Sequence, residues 1–250
     1  MVFMLRPRSD DVQWVRKERY QLEPTPRLRE TTDSFGNLCQ RLVAPVGRFE
    51  VRTEAEVLVS APQRPDPHAG YVPVAELPDE CLIYLLPSRY CESDRFTEMA
   101  HSVVADCAPG YAQVAAITAW VRENISNEPL SSPYPVSAVE VNARRKGVCR
   151  DLAQMTISLC RAICIPARMV VGYLHELQPM DIHAWVEAYV GGRWCTFDPA
   201  VPQDSAARIA IARGRDATDV AIYNQYGPLL LPDAMHVWVE EYDVAVQQIP

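Results

Sequence analysis

Gly147-Val148-Cys149-Arg150-Asp151-Leu152 is the stretch on which the chain turns, because a loop ending in glycine there feeds a cysteine into the next element. From Cys149 onward apolar residues fall at Leu152, Met155, Leu159 and Ile163, steps of three and four that describe one buried helical stripe. Cys149 is therefore expected in the first turn of a helix. Unpaired backbone N–H groups and the positive end of the macrodipole lie there, and they favour a thiolate over a thiol. Downstream come Asp181-Ile182-His183-Ala184-Trp185 and Thr196-Phe197-Asp198-Pro199. Cys149, His183 and Asp198, on a helix start and two strands, make a candidate thiol triad.

The pairing of the last two can be worked from the turn between them. Gly191-Gly192 readily takes the positive φ angles of a two-residue hairpin turn, so Ile182 to Val190 and Arg193 to Asp198 should pair with Val190 opposite Arg193. That register puts Trp185 opposite Asp198. His183 and Trp185, two apart, share a sheet face, and Asp198 lies diagonal to His183 on it. One more residue in the loop would send the aspartate to the other side.

Gly-Val-Cys-Arg-Asp opening a helix, Ile165-Pro166-Ala167-Arg168 closing it, Gly172-Tyr173, His183-Ala184-Trp185 and Trp194-Cys195-Thr196-Phe197-Asp198-Pro199 together resemble the transglutaminase-like superfamily. The segment from Asp33 to Ser60 resembles the β-rich N-terminal domain of its bacterial members, and Ile211 to Val220 their C-terminal extension. The resemblance implies an α+β fold: a papain-like transglutaminase core, its nucleophile helix packed on an antiparallel sheet, behind an N-terminal antiparallel β domain. It implies cysteine-dependent amide hydrolysis or acyl transfer through a thioester, with peptidase or protein amidase favoured over a crosslinking enzyme. The rival reading is a non-catalytic binding or scaffold module on the same fold. Bacterial relatives often carry an aromatic residue where Ile125-Ser126 is here followed by Asn127. Relative to the family, the chain is expected to begin after the first strand, so that either the sheet is short of an edge or the true start lies upstream; an open edge would suit a homodimer through it.

The 250 residues, 48% hydrophobic and 22% charged, suit a globular protein with a sizeable core. A net charge of -8 argues against nucleic acid, whose binding relies on clustered Lys and Arg. No run approaches the roughly 20 apolar residues that span a bilayer, so no membrane partner is expected. The N-terminus, Met1-Val2-Phe3-Met4-Leu5-Arg6-Pro7-Arg8, places its apolar run before its charges, the reverse of a secretory signal, and a cytoplasmic location follows as the expectation. The eight cysteines then read as reduced. Seven are taken as small buried hydrophobes. No Cys-x-x-Cys occurs, and His68, His101, His175 and His236 lack ligand spacing, so neither metal nor cofactor is expected. H-E-x-x-H, G-x-S-x-G and the P-loop are missing, leaving metalloprotease, serine hydrolase and nucleotide-dependent readings without support.

Along the chain, residues 1–79 are assigned to the β domain and a proline-rich linker, and 80–250 to the catalytic domain with its C-terminal β extension. Phe49, Val51, Ala55, Val57 and Val59 alternate with Arg48, Glu50, Arg52, Glu54 and Glu56, a strand with one buried face. Turn chemistry at 33–37 and 44–47 suggests an antiparallel meander. Helices are expected over 94–105 and 111–124. Another should open at the capping box Ser137-Ala138-Val139-Glu140 and end at Gly147 as C-cap. Strands are read at 168–174, 208–212 and 236–246. Trp185 and Trp194 are candidates to line the substrate cleft, core packing being the expected role of at least one. Asp151, beside the nucleophile, is read as complementing the helix dipole, with surface pairing for it and Arg150.

Overall fold

The structure is a computed structural model that describes residues 1–60, 66–129, 131–201, 207–228, 230 and 232–242. Five strands come first: β1 (Val2–Phe3), β2 (Gln13–Glu23), β3 (Leu28–Thr32), β4 (Leu38–Leu42) and β5 (Glu50–Val59). The middle of the chain holds α1 (Asp79–Leu82), α2 (Thr97–Val103), α3 (Tyr111–Asn124), β6 (Ser126–Asn127), α4 (Ala138–Arg144), β7 (Lys146–Gly147) and α5 (Cys149–Ala162). Then follow β8 (Ala167–Leu174), β9 (Ile182–Val190), β10 (Arg193–Phe197), β11 (Arg208–Gly214) and β12 (Tyr223–Asn224).

The N-terminal strands do not form a simple meander. β3 and β4 make the expected hairpin, its turn held by Asp33, whose side chain accepts from the N–H groups of Phe35 and Asn37. β5, however, leaves β4 and pairs with β2 from Glu23–Glu50 to Gln13–Val59. The physical reason is length: β2 and β5, of 11 and 10 residues, match each other, whereas β4 has only 5. The alternation along β5 is real but only half covered, since Val51 and Val57 are half-buried while Ala55 and Val59 are exposed. The other N-terminal sheet has the order β12-β1-β4-β3. Its first strand comes from Val2 and Phe3, and its edge beyond β1 is covered by Tyr223 and Asn224 from the far end of the chain. The C-terminal extension is thus divided: β11 joins the catalytic sheet and β12 the N-terminal one. Residues 236–242 are irregular, so the expected strand is not formed there, and 243–246 lie outside the described residues.

Part of the proline-rich linker, 61–65, is likewise outside the described residues. From Asp66 on it is fastened down. The Ala69 carbonyl accepts from Tyr111 N–H at 2.9 Å and the Gly70 carbonyl from Gly191 N–H at 2.8 Å. Gly110 and Gly191, at φ +106° and +59°, let this happen, because a Cβ would meet Gly70 at 2.4 Å in the first case and Ala69 at 2.8 Å in the second.

In the catalytic part the sheet order is β10-β9-β8-β11, all neighbours antiparallel. Val190 pairs with Arg193, and both turn glycines have positive φ, as the two-residue turn requires. α5 packs on this sheet, with α2, α3 and α4 around it. Val114, Ile117 and Val121 of α3 are fully buried, as their spacing predicts. The helix expected over 94–105 is instead a 3-10 turn, Ser93–Arg95, followed by α2. No helix among the described residues is long and apolar enough to cross a membrane.

α5 carries more than its apolar stripe. Every residue from Asp151 to Arg161 is buried, the polar ones included. Thr156 and Ser158 return their hydroxyls to the carbonyls of Leu152 and Gln154, four residues back. Gln154 donates to the Val136 carbonyl at 2.8 Å. Arg161 is satisfied by the carbonyls of Leu86, Ala167 and Arg215 and by the Ser88 hydroxyl. Polar groups survive burial when each finds a partner, and here the tertiary structure supplies them.

Candidate active site

Cys149 is the first residue of α5, with Val148 extended in the N-cap position. What fixes it there is Asp151, whose Oδ2 accepts from Val148 N–H at 3.1 Å, one half of a capping box. Asp151 is no surface pair: it is fully buried, with Arg150 Nε donating to its other oxygen at 3.1 Å. Arg150 also ties down the preceding loop through the carbonyls of Ser132 and Tyr134, at 2.9 and 3.0 Å. Gly147 has a role other than the expected helix cap. Arg145, at φ +57°, closes α4, and Gly147 pairs in parallel with Asn127. A Cβ on Gly147 would come within 2.7 Å of the Asp151 Cβ, so glycine is the residue that lets the capping carboxylate close in. Asn127 runs beside the nucleophile loop.

His183 lies near the start of β9 and Asp198 just past the end of β10, brought together by the hairpin register. Phe197 pairs with Val186, so the next step sets Asp198 against Trp185, and the diagonal to His183 is a hydrogen bond, Nε2 to Asp198 Oδ2 at 2.8 Å. The Cys149 side chain acts on the same ring and strengthens its hold on a proton. With Nε2 committed to the carboxylate, Nδ1 is the nitrogen left for the sulfur. The two partners are buried, His183 2% and Asp198 0% exposed, while Cys149 is half-buried.

Burial is the largest influence on the His183 ring and works against its charge. The hydrogen bonds to Asp198 and Cys149, and the charges behind them, outweigh it and raise the imidazolium to about 9. Asp198 is also opposed by burial, yet His183 and then Arg208 hold its carboxyl below the ordinary value. The carboxylate is saturated. Oδ1 accepts from the N–H groups of Ala200 and Val201 at 3.0 and 3.1 Å, and Oδ2 is shared by His183 and Arg208. Arg122 of α3 donates to the Asp198 carbonyl at 2.6 Å. Neither Arg122 nor Arg208 belongs to a motif, so no local pattern marks them: Arg122 comes from α3, 76 residues before Asp198, and Arg208 from β11, across the sheet from β10.

The other thiols differ in kind. Burial pushes Cys91 and Cys160 up to about 12 and Cys81 to about 11, which leaves them protonated and unreactive. Cys164 is exposed and Cys107 half-buried. Trp185 stacks against His183, ring centroids 6.2 Å apart, and is itself buried with Val170 and Ala210. Trp194 sits at the other end of the hairpin opposite Tyr189, about 20 Å from His183 at strand rise. It packs edge-on to Tyr84 and Tyr189 beneath the Arg168 guanidinium, 4.0 Å from the ring centre.

Residues 97–199 match the transglutaminase-like superfamily, and residues 1–59 match the bacterial transglutaminase-like N-terminal region. A Cytophaga hutchinsonii protein described as a candidate cysteine protease, known from its crystal structure, is 34% identical. It covers 88% of this chain and 78% of its own, with a TM-score of 0.80. An uncharacterized protein of Mycobacterium leprae, ML0607, is 27% identical over 232 residues, 87% of this chain and 82% of that protein. The first of these likenesses extends through both lobes at a level where sequence and fold agree, and the chain belongs to the transglutaminase-like superfamily.

Proposed function

We propose that the protein is a cysteine-dependent amide hydrolase or acyl transferase of peptidase or protein-amidase type, acting through a thioester on Cys149. The observation that carries this reading is His183, hydrogen-bonded to Asp198 at 2.8 Å and with the Cys149 side chain acting on the same ring. An imidazolium that persists to about pH 9 next to a sulfur at a helix start is the partner an ion-paired thiolate needs. The thiolate attacks the carbonyl carbon of a peptide or protein amide, and the oxyanion meets the Cys149 N–H, which as the first of α5 has no acceptor within the helix. The C–N bond breaks as His183 gives its proton to the departing nitrogen. The acyl group stays on sulfur, His183 is left neutral, and water or an amine, giving its proton to that ring, attacks the thioester and restores the thiolate and imidazolium. Asp198 holds the ring in the tautomer and orientation both steps require.

The test is trapping. Wild type incubated with a peptide library in hydroxylamine should release hydroxamates, and a quenched sample should carry acyl mass on the Cys149 peptide. Alkylation at pH 6 should be fastest at Cys149, ahead of the exposed Cys164. Cys149→Ala should abolish turnover while the fold persists. Full turnover by that variant, or alkylation of Cys149 no faster than that of Cys164, would leave the non-catalytic module as the better reading.

A further inference from the structure

Asp198 Oδ2 has two cationic neighbours, and only one of them belongs to the triad. Arg208 donates to it at 3.1 Å from β11, on the opposite edge of the sheet from β10, while His183 Nε2 holds it at 2.8 Å. Both guanidinium and carboxylate are screened from water, their side chains 15% and 0% exposed. The approach depends on Gly172, which pairs with His183 on one side and Ala210 on the other. A Cβ there would lie 2.0 Å from the Ile209 carbonyl oxygen, so only glycine lets β11 draw in.

We propose that Arg208 is a positioning residue that acts through Asp198: it fixes Oδ2 against His183 and, by sharing that oxygen, moderates how tightly the imidazole holds its proton. Moderation matters because the proposed reaction needs His183 to release that proton to the leaving nitrogen and then take one from the incoming nucleophile. An aspartate that served His183 alone would hold the imidazolium more firmly. Among the described residues, the charged groups facing the pair are Asp198 from the end of β10, Cys149 from α5, Arg208 from β11 and, on the Asp198 carbonyl, Arg122 from α3. Among the described residues, Arg208 alone places a fixed positive charge on the oxygen that His183 uses. Two cations about 5 Å apart in a partly buried site shift the titrating one downward by about one pH unit.

This inference rests on the triad reading, so its test must not depend on turnover. His183 is followed by NMR of 13Cε1-labelled histidine in the Cys149→Ala protein, where no thiolate contributes, with and without substitution at Arg208. Removing the charge, as Arg208→Gln or Arg208→Met, should raise the His183 midpoint by about one pH unit, and Arg208→Lys should stay within about 0.3 unit of the parent. Either uncharged variant that folds decides the matter. A midpoint unchanged or lowered in that variant would overturn the proposal, since the first makes Arg208 a purely structural tie and the second means that Asp198 has swung away from the ring. Failure of the trapping experiment above, with the midpoint shifted as expected, would instead count against the function and leave the charge relation intact.

Discussion

Asp198→Asn tests the core of the site with almost no change of shape. Asp198 is fully buried, and the amide can keep its oxygen on the N–H groups of Ala200 and Val201. What it loses is the negative charge that, after burial, does most to keep His183 protonated. The ring should fall from about 9 to its ordinary 6.5 or lower. At pH 7.5 the protonated fraction then drops from about 97% to about 10%. That is about a tenfold loss of the ion pair, and an amide N–H facing Nε2 also favours the wrong tautomer, a defect worth about 10⁴-fold in a serine-protease triad. We expect kcat/KM to fall by at least about 10³-fold, and the alkylation rate of Cys149 at pH 7.5 by about tenfold. Arg208 would face a neutral group, costing about 1–3 kcal/mol and lowering Tm by about 2–12 °C. Amide turnover and iodoacetamide alkylation, both against pH, give the kinetic numbers, and calorimetry the stability. If the variant kept wild-type turnover with the drop in Tm, Asp198 would be a structural residue and the electrostatic argument would fail.

The same histidine links folding to pH. Its folded value, about 9, lies above the ordinary 6.5, so its contribution to stability is complete below about pH 6.5 and disappears as pH rises through about 9. Urea unfolding of the wild type should lose up to about 3 kcal/mol across that window, and Asp198→Asn should show a shallower decline. Gly147→Ala forces a methyl group to within 2.7 Å of the Asp151 Cβ. It should cost about 1–3 kcal/mol by overpacking and displace Cys149, cutting kcat/KM about tenfold or more; unchanged melting and turnover would show that the capping carboxylate moves freely. Trp194→Ala, which removes the Arg168 and Tyr84 contacts, should destabilise by about 2–4 kcal/mol yet leave kcat/KM within about threefold of wild type. A selective rise in KM would instead place Trp194 in contact with substrate.

The parts of the fold visible in the sequence are those set by short-range chemistry. A two-glycine turn fixes a register, and the register alone carried His183 to Asp198. Ser137 and Glu140 marked the start of α4, and the Ser137 side chain does accept from Glu140 N–H. What local patterns leave open depends on partners far along the chain. The burial of Gln154 and Arg161 is allowed by carbonyls at Val136, Leu86 and Arg215, which no local pattern connects to α5. Gly147 looked like a helix end because a glycine there satisfies the same local rule, whereas the true constraint is the nearby Asp151. Alternation marks β5 as a strand, but it specifies a face and says nothing about which neighbour the edge will choose.

The fastening of the linker bears on how the molecule comes apart. The five prolines and one glycine between 61 and 79 suggest a tether in the sequence, yet beyond Asp66 its backbone is stitched to the start of α3 and to the tip of the β9–β10 hairpin. Tyr223 and Asn224 meanwhile carry the chain back beside Val2 and Phe3, and Arg213 reaches Asp10 at 2.7 Å. A fragment cut at residue 80 would therefore strip the hairpin tip of its acceptor and β12 of its neighbour. The border between the lobes in sequence is then not expected to be a border in cooperativity: heat or denaturant should meet one interlocked unit, and the cluster of Cys149, His183 and Asp198 should lose its geometry together with the whole.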